Sequence, residues 1–190
     1  MTTLAPTVYT RTFPRVAGWL RDVTLIVLGT LLMAALAQVK IPLPFTPVPL
    51  TGQTFAVLLV GAALGSKRGA ASMALYIALG ALGLPIFAGG ESGLAYLSGA
   101  TLGYLIGFVL AAYVIGLLAE RGWERSVGTS ILPFLVGTVI IYACGIAWLA
   151  IVLGSFSKAI AAGLLPFLIG DTIKLVAASL ALPAAWKFVR

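Results

Sequence analysis

Six apolar runs, at about 22–38, 52–64, 69–84, 98–119, 131–153 and 164–186, take up most of this 190-residue chain. A bilayer core about 30 Å thick is crossed by roughly 20 apolar residues in helical form, and by fewer where a helix is short or broken. In hydrocarbon a backbone must satisfy its polar groups internally, which a helix does. The runs therefore predict an all-α membrane protein, a compact bundle of six transmembrane helices over 22–186. Residues 1–21 form an N-terminal segment and 187–190 a short tail. Composition agrees: 61% of residues are hydrophobic and 9% charged, against about 45–50% and 25% in soluble domains. Residues 1–21 are polar to mixed and the first apolar run starts near Val23, unlike a cleaved leader, so the N-terminus is expected to be retained.

Charge placement gives the direction. Lysine and arginine are held back on the cytoplasmic side of a membrane. With six spans, one face receives Arg11, Arg15, Arg21, Lys67, Arg68, Arg121, Arg125, Lys187 and Arg190, and the other only Lys40 and Lys158. Both termini are thus expected in the cytoplasm. Five or seven spans would put Lys187 and Arg190 on the opposite face and weaken the asymmetry. The net charge of +7 reads as this topology signal, so nucleic acid is not an expected partner; the lipid bilayer is.

Several chemistries drop out. The chain has no histidine, which removes bis-imidazole haem ligation, HExxH metal sites and Ser-His triads. Asp22, Glu91, Glu120, Glu124 and Asp171 form no cluster for magnesium and phosphate. Gly61-Ala-Ala-Leu-Gly65-Ser-Lys67-Arg68 lacks the spacing of a phosphate loop, carries Arg where Ser or Thr is needed, and follows a helix where a strand is required. An enzyme is not expected, nor an ATP site, metal or cofactor in this chain. The lone Cys144 reads as a small packing residue.

The sharpest polar signal is GDTIK at 170–174, inside the sixth run. Asp171 and Lys174 sit i, i+3 and share a helix face. Each charge costs about 2.5–3.5 kcal/mol at a membrane helix centre on insertion scales, so such residues face a protein interior or a wet cavity. Two readings stay open on residue physics: an ion pair that only holds helices together, or the floor of an outward-facing pocket. A carboxylate beside an ammonium suits a ligand carrying both N–H and C=O groups. Above that depth lies KIPLPFTPVPL, residues 40–50, with prolines at 42, 44, 47 and 49. Proline fixes φ and has no N–H, so this connector stays extended, either as a rigid linker or as a lid over the mouth of the bundle. Small residues recur at Gly99, Gly103 and Gly107, on one face of the fourth run. Gly29, Thr30, Ala34 and Ala35 form a similar surface in the first, usable within the bundle or against a separate membrane subunit.

Three stretches together resemble the BioY family, the biotin-specific substrate-capture components of energy-coupling-factor vitamin transporters. They are AQVKIPLPFTPVPLTGQTFAVLLVGAALGSKRGA at 37–70, GALGLPIFAGG at 80–90 with LSGATLGYLIGF at 97–108, and LPFLIGDTIK at 165–174. The resemblance covers about residues 20–185. It implies a six-helix bundle in a prokaryotic plasma membrane that takes biotin from outside. It also implies a transmembrane coupling protein and a pair of cytoplasmic ATPases as partners, the only users of ATP. Asp171 and Lys174 would then hold the ligand's polar head. Phe45 would offer it an apolar face from the lid, and Gln53 would open the second helix beside it after Thr51 and Gly52. Gly89 and Gly90 would close the other side of the mouth, with Tyr104 completing the pocket; Gly29, Thr30 and Ala34 would meet the partner subunit. Tyr96 and Tyr142, like Tyr104, stand within reach of such a pocket; taken alone, Phe45 also reads as an interface anchor, Gln53 as a helix cap, and the three tyrosines as interfacial or packing residues. The family's Gly-Pro-Thr-Gly-Gly-Tyr run is here Gly99-Ala100-Thr101-Leu102-Gly103-Tyr104. The alternatives are capture of another small vitamin, or a structural membrane subunit that transports nothing.

Overall fold

A computed structural model describes residues 3–189. Met1, Thr2 and Arg190 lie outside the described residues, and with them the outermost parts of the expected terminal segments. The chain runs α1 (Leu4–Thr12), α2 (Gly18–Ala37), β1 (Lys40–Ile41), β2 (Leu50–Thr51), α3 (Gln53–Leu64), α4 (Ser66–Ala81), α5 (Gly93–Leu97), α6 (Leu102–Ala119), α7 (Val127–Leu153), α8 (Phe156–Gly163) and α9 (Leu168–Lys187). Single 3-10 turns stand at Trp123–Arg125 and Leu165–Phe167.

Four helical stretches are long and apolar enough to cross a membrane: Gly18–Ala37, Leu102–Ala119, Val127–Leu153 and Phe156–Lys187. The second and third expected runs, at 52–64 and 69–84, fall outside this set because their helices are short. α3 has 12 residues and α4 has 16, and at 1.5 Å per residue α3 is only about 18 Å long. The last apolar run is also built differently from the expectation. Pro166 lacks the N–H that a continuous helix needs, and the chain passes through a 3-10 turn between α8 and α9. Nor is the chain wholly helical: Lys40 pairs with Thr51 and Ile41 with Leu50 in a short antiparallel ladder that closes the base of the proline connector.

α6 is the central post, packed against α3, α4 and α7. Its small residues allow that. A Cβ at Gly103 would lie 2.4 Å from the Cys144 carbonyl oxygen, and one at Gly107 would lie 2.9 Å from Ile141 Cα, both on α7. Gly99 does not share this stripe because it precedes the first turn of α6. At the far end of α6, a Cβ on Gly116 would meet the Ser66 nitrogen at 2.2 Å. There α3 and α4 join in the tight hairpin that the sequence predicts, with Gly65 at φ 88°. Glu120 Oε1 accepts from both the backbone N–H and the hydroxyl of Ser66, each at 2.8 Å, and so caps α4.

Gly29 and Thr30 are buried within the bundle. A Cβ at Gly29 would meet Ser72 Oγ at 2.5 Å, and the Thr30 hydroxyl donates to the Ser72 carbonyl at 3.0 Å. They join α2 to α4, which corrects their expected role at a partner surface; Ala34 is half-buried and packs on the same core. Large apolar residues point outward around the bundle, among them Leu31, Val139, Ile151 and Ile173, as a lipid-facing surface requires. The Arg11 guanidinium donates to the Val189 carbonyl, so the two ends of the chain meet on one side.

Near that end Glu124 is fully buried, with Arg125 Nε 3.8 Å from its Oε1. Burial raises its pKa above the ordinary glutamate range, partly offset by the nearby Arg125 charge. A carboxyl whose folded pKa is raised contributes stability while protonated, and that contribution is lost as pH climbs through the folded value. In thermal unfolding in detergent, Glu124→Gln is expected to flatten the fall in midpoint on raising pH from about 4.3; parallel curves for wild type and variant would contradict this. Gly116→Ala, which forces Cβ into the Ser66 backbone, is expected to lower stability by about 1–3 kcal/mol in the same measurement.

Candidate ligand site

The turn at Leu165–Phe167 starts α9 within the bundle and puts Asp171 in its first turn, where the helix dipole favours a carboxylate. Lys174 follows one turn later. Its ammonium donates to Asp171 Oδ1 at 2.8 Å, to the Thr51 carbonyl at 2.7 Å and to Thr54 Oγ1 at 2.9 Å. The Thr54 hydroxyl in turn donates to Asp171 Oδ1 at 2.8 Å, and the Tyr142 hydroxyl to Oδ2 at 2.6 Å. An ammonium has three N–H donors and a carboxylate oxygen about two acceptor sites. All three donors of Lys174 are therefore engaged, Oδ1 is full, and Oδ2 keeps one acceptor site.

Asp171 and Lys174 line a cavity. They form its polar floor, and Leu105, Phe108, Ile141 and Phe167 supply apolar walls. Val48, Pro49 and Leu50, the end of the proline connector, form its roof. The cavity leaves about 50 Å³ for the centre of a water molecule to move in, several times what one water needs. The outer vestibule beside it, under Pro42, Leu43 and Pro47, offers about 370 Å³ on the same measure. The two chambers share Pro49, Tyr96 and Thr101. The connector is held down by Thr46, whose hydroxyl donates to the Ala162 carbonyl on α8 at 2.7 Å.

The structure brings Asp171, Lys174, Gln53 and Tyr104 to this cavity. Gln53 opens α3; its side-chain amide donates to Tyr76 at 2.9 Å and its Oε1 accepts from Thr51 at 3.0 Å. Tyr104 fills the space left by Gly145 and Gly163 and donates to the Gly163 carbonyl at 2.7 Å. Phe45 is not brought in. It is 67% exposed and borders a groove beside Lys158, because the connector turns its aliphatic end and not its aromatic ring toward the cavity. Gly89 and Gly90 do not line the cavity either. Gly89 lies under Lys40: a Cβ there would meet the lysine Cδ at 2.7 Å. Thr54 was not among the expected site residues, and Tyr142, which the sequence left between pocket and packing, belongs to the site. The signal for Thr54 was a hydroxyl in an otherwise apolar stretch one residue beyond Gln53; for Tyr142 there was none, since its partner is 29 residues away.

A sequence model of the BioY family matches residues 5–190. The chain belongs to the BioY family. Among its relatives is the biotin transporter BioY of Rhizobium etli, 38% identical over 169 residues, covering 84% of this chain and 90% of that one. The biotin transporter BioY of Thermotoga maritima is 45% identical over 140 residues, 74% of this chain and 82% of its own. A crystal structure of the S-component for biotin from an ECF-type ABC transporter superposes with a TM-score of 0.80 at 26% identity, covering 88% of this chain and 92% of that one.

The polar floor of this BioY protein is also a structural joint. Lys174→Met would strand the Asp171 carboxylate against only two hydroxyls, and losing one partner of a buried pair costs about 3–5 kcal/mol. Thermal unfolding of Lys174→Met, Asp171→Asn and the double variant is expected to show the double as more stable than Lys174→Met alone. Additive losses would mean the two side chains do not interact.

Proposed function

We propose that this chain captures biotin from the outer face of a prokaryotic plasma membrane, as the substrate-specific component of an ECF transporter. The observation that carries the reading is the cavity itself: an apolar chamber with one carboxylate and one ammonium at its floor, in a chain whose relatives are named biotin transporters. Biotin matches it group for group. Its bicyclic ureido head has N–H donors and a carbonyl, and its sulfur ring is apolar. An N–H fills the acceptor site left on Asp171 Oδ2, and the ureido carbonyl takes an N–H of Lys174 in place of the Thr51 carbonyl. The ring lies among Phe108, Tyr104 and Ile141, with Gln53 at its edge.

The proline connector serves as the roof of this chamber. Its stiffness keeps the roof formed before the ligand arrives, so less conformational entropy is lost on binding. Six membrane-crossing helices with both termini in the cytoplasm accord with the nine-against-two charge distribution in the sequence and with the contact between Arg11 and Val189. With α3 and α4 short, the bundle is thinner on one flank. A transmembrane coupling protein and a pair of ATPases, the partners that the family resemblance implies, would supply the energy; of the small-residue surface on α2, Ala35 is exposed and Ala34 half-buried, and these two are the members open to the coupling protein. It works without a cofactor of its own.

Equilibrium binding of labelled biotin to the purified full chain tests the reading. Wild type is expected to bind biotin and not thiamin. Asp171→Asn, which loses charge-assisted hydrogen bonds worth about 1.5–3 kcal/mol, is expected to weaken binding at least tenfold. Tyr142→Phe is expected to weaken it less, since one oriented hydroxyl is lost while the charge remains. A folded protein that binds no biotin would overturn the proposal and leave the Asp171–Lys174 pair as helix glue.

A further inference from the structure

A second lysine, Lys40, stands at the mouth of the site. Lys40 lies on β1 opposite Thr51, the residue whose carbonyl receives Lys174. One rung of the ladder therefore fixes both lysines, one at the cavity floor and one in the vestibule. The Lys40 side chain crosses the double-glycine loop. Its ammonium donates to the Ala88 carbonyl at 3.2 Å, and a Cβ on Gly89 would meet Nζ at 2.9 Å. Gly89 has φ +77° and Gly90 φ +80°, backbone that other residues adopt at a cost. The loop thus forms a bed that holds the lysine over the vestibule.

Among the described residues Lys40 makes no ion pair. Its one hydrogen-bond partner among the described residues is a neutral carbonyl, so a half-buried ammonium with donors to spare lines the vestibule. Glu91 lines the same vestibule but is exposed, where water screens its charge. The vestibule adjoins the deep cavity through Pro49, Tyr96 and Thr101. A ligand with its polar ring at the floor and a short alkyl tail reaches out along those residues and ends beside Lys40.

We infer that Lys40 is the anion receptor of the site: it pairs with the free carboxylate of the ligand's tail and makes the protein select the free acid over neutral tail derivatives. This rests on the biotin reading and adds the end of the ligand that the Asp171–Lys174 floor does not read. Gly89 and the Ala88 carbonyl are positioning elements for it. A charge-assisted contact at a partly exposed site is expected to amount to roughly five- to tenfold in affinity, falling with salt.

The test compares biotin with biotin amide, which differs only in the tail charge, on the full chain, on Lys40→Gln and on Lys40→Arg. Wild type is expected to prefer biotin to the amide by roughly five- to tenfold. Lys40→Gln should lose that factor for biotin and bind the amide unchanged, while Lys40→Arg keeps the preference. Glu91→Gln should tighten biotin and leave the amide alone. Equal affinity of wild type for the two ligands overturns the inference, as does a Lys40→Gln variant that weakens both alike, which marks a structural lysine. Wild type binding neither ligand overturns the biotin reading itself, a result distinct from either of those.

Discussion

Three segments far apart in sequence converge on one carboxylate. Asp171 on α9 accepts from Thr54 on α3 and Tyr142 on α7, and it pairs with Lys174, which also holds the Thr51 carbonyl at the end of β2. In a low-dielectric interior a carboxylate needs such donors to remain where it is. Its presence therefore dictates how α3, α7 and α9 approach each other and where the ladder ends. The ladder in turn sets the start of the proline connector, and the connector roofs the cavity. Removing the carboxylate would take away both the floor of the site and the pin that registers its walls.

That arrangement has a cost elsewhere, met by glycine. To bring a carboxylate and two hydroxyls from separate helices within hydrogen-bonding range, the backbones around α6 must be close. Gly103 and Gly107 let α7 lie against α6, while Gly145 and Gly163 leave room for the Tyr104 ring. Between helices surrounded by lipid, close contact of this kind replaces the hydrophobic drive that packs helices in water. The polar centre is held by apolar fit around it, and the fit is possible because side chains are absent at a few positions.

Much of this was legible in the sequence, for identifiable reasons. Apolar run length located the helices, and Gly65-Ser66 with the following charges located the hairpin. An i, i+3 pair of opposite charges in a membrane helix located the floor. What escaped depended on tertiary adjacency. The i, i+4 spacing that links Gly99 to Gly103 says nothing about where α6 begins, and proline spacing says nothing about which side of an extended segment faces inward, so Phe45 looked like a pocket residue. Tyr142 carries no local mark that separates a tyrosine aimed at Asp171 from one that packs. The double glycine was legible as a site of close backbone approach, but the approaching group is Lys40 and not the ligand. The break at Pro166 was present in the sequence as well; a proline inside an apolar run ends a helix, and its consequence here is that α9 begins just before the carboxylate it must place.

The most direct measurement is a crystal structure of the full chain grown with biotin. The ureido ring is expected at the cavity floor, within hydrogen-bonding distance of Asp171 Oδ2 and of Lys174 Nζ, with the lysine released from the Thr51 carbonyl and the Tyr142 contact kept. Biotin bound elsewhere, over an unchanged and ligand-free Asp171–Lys174 pair, would contradict it.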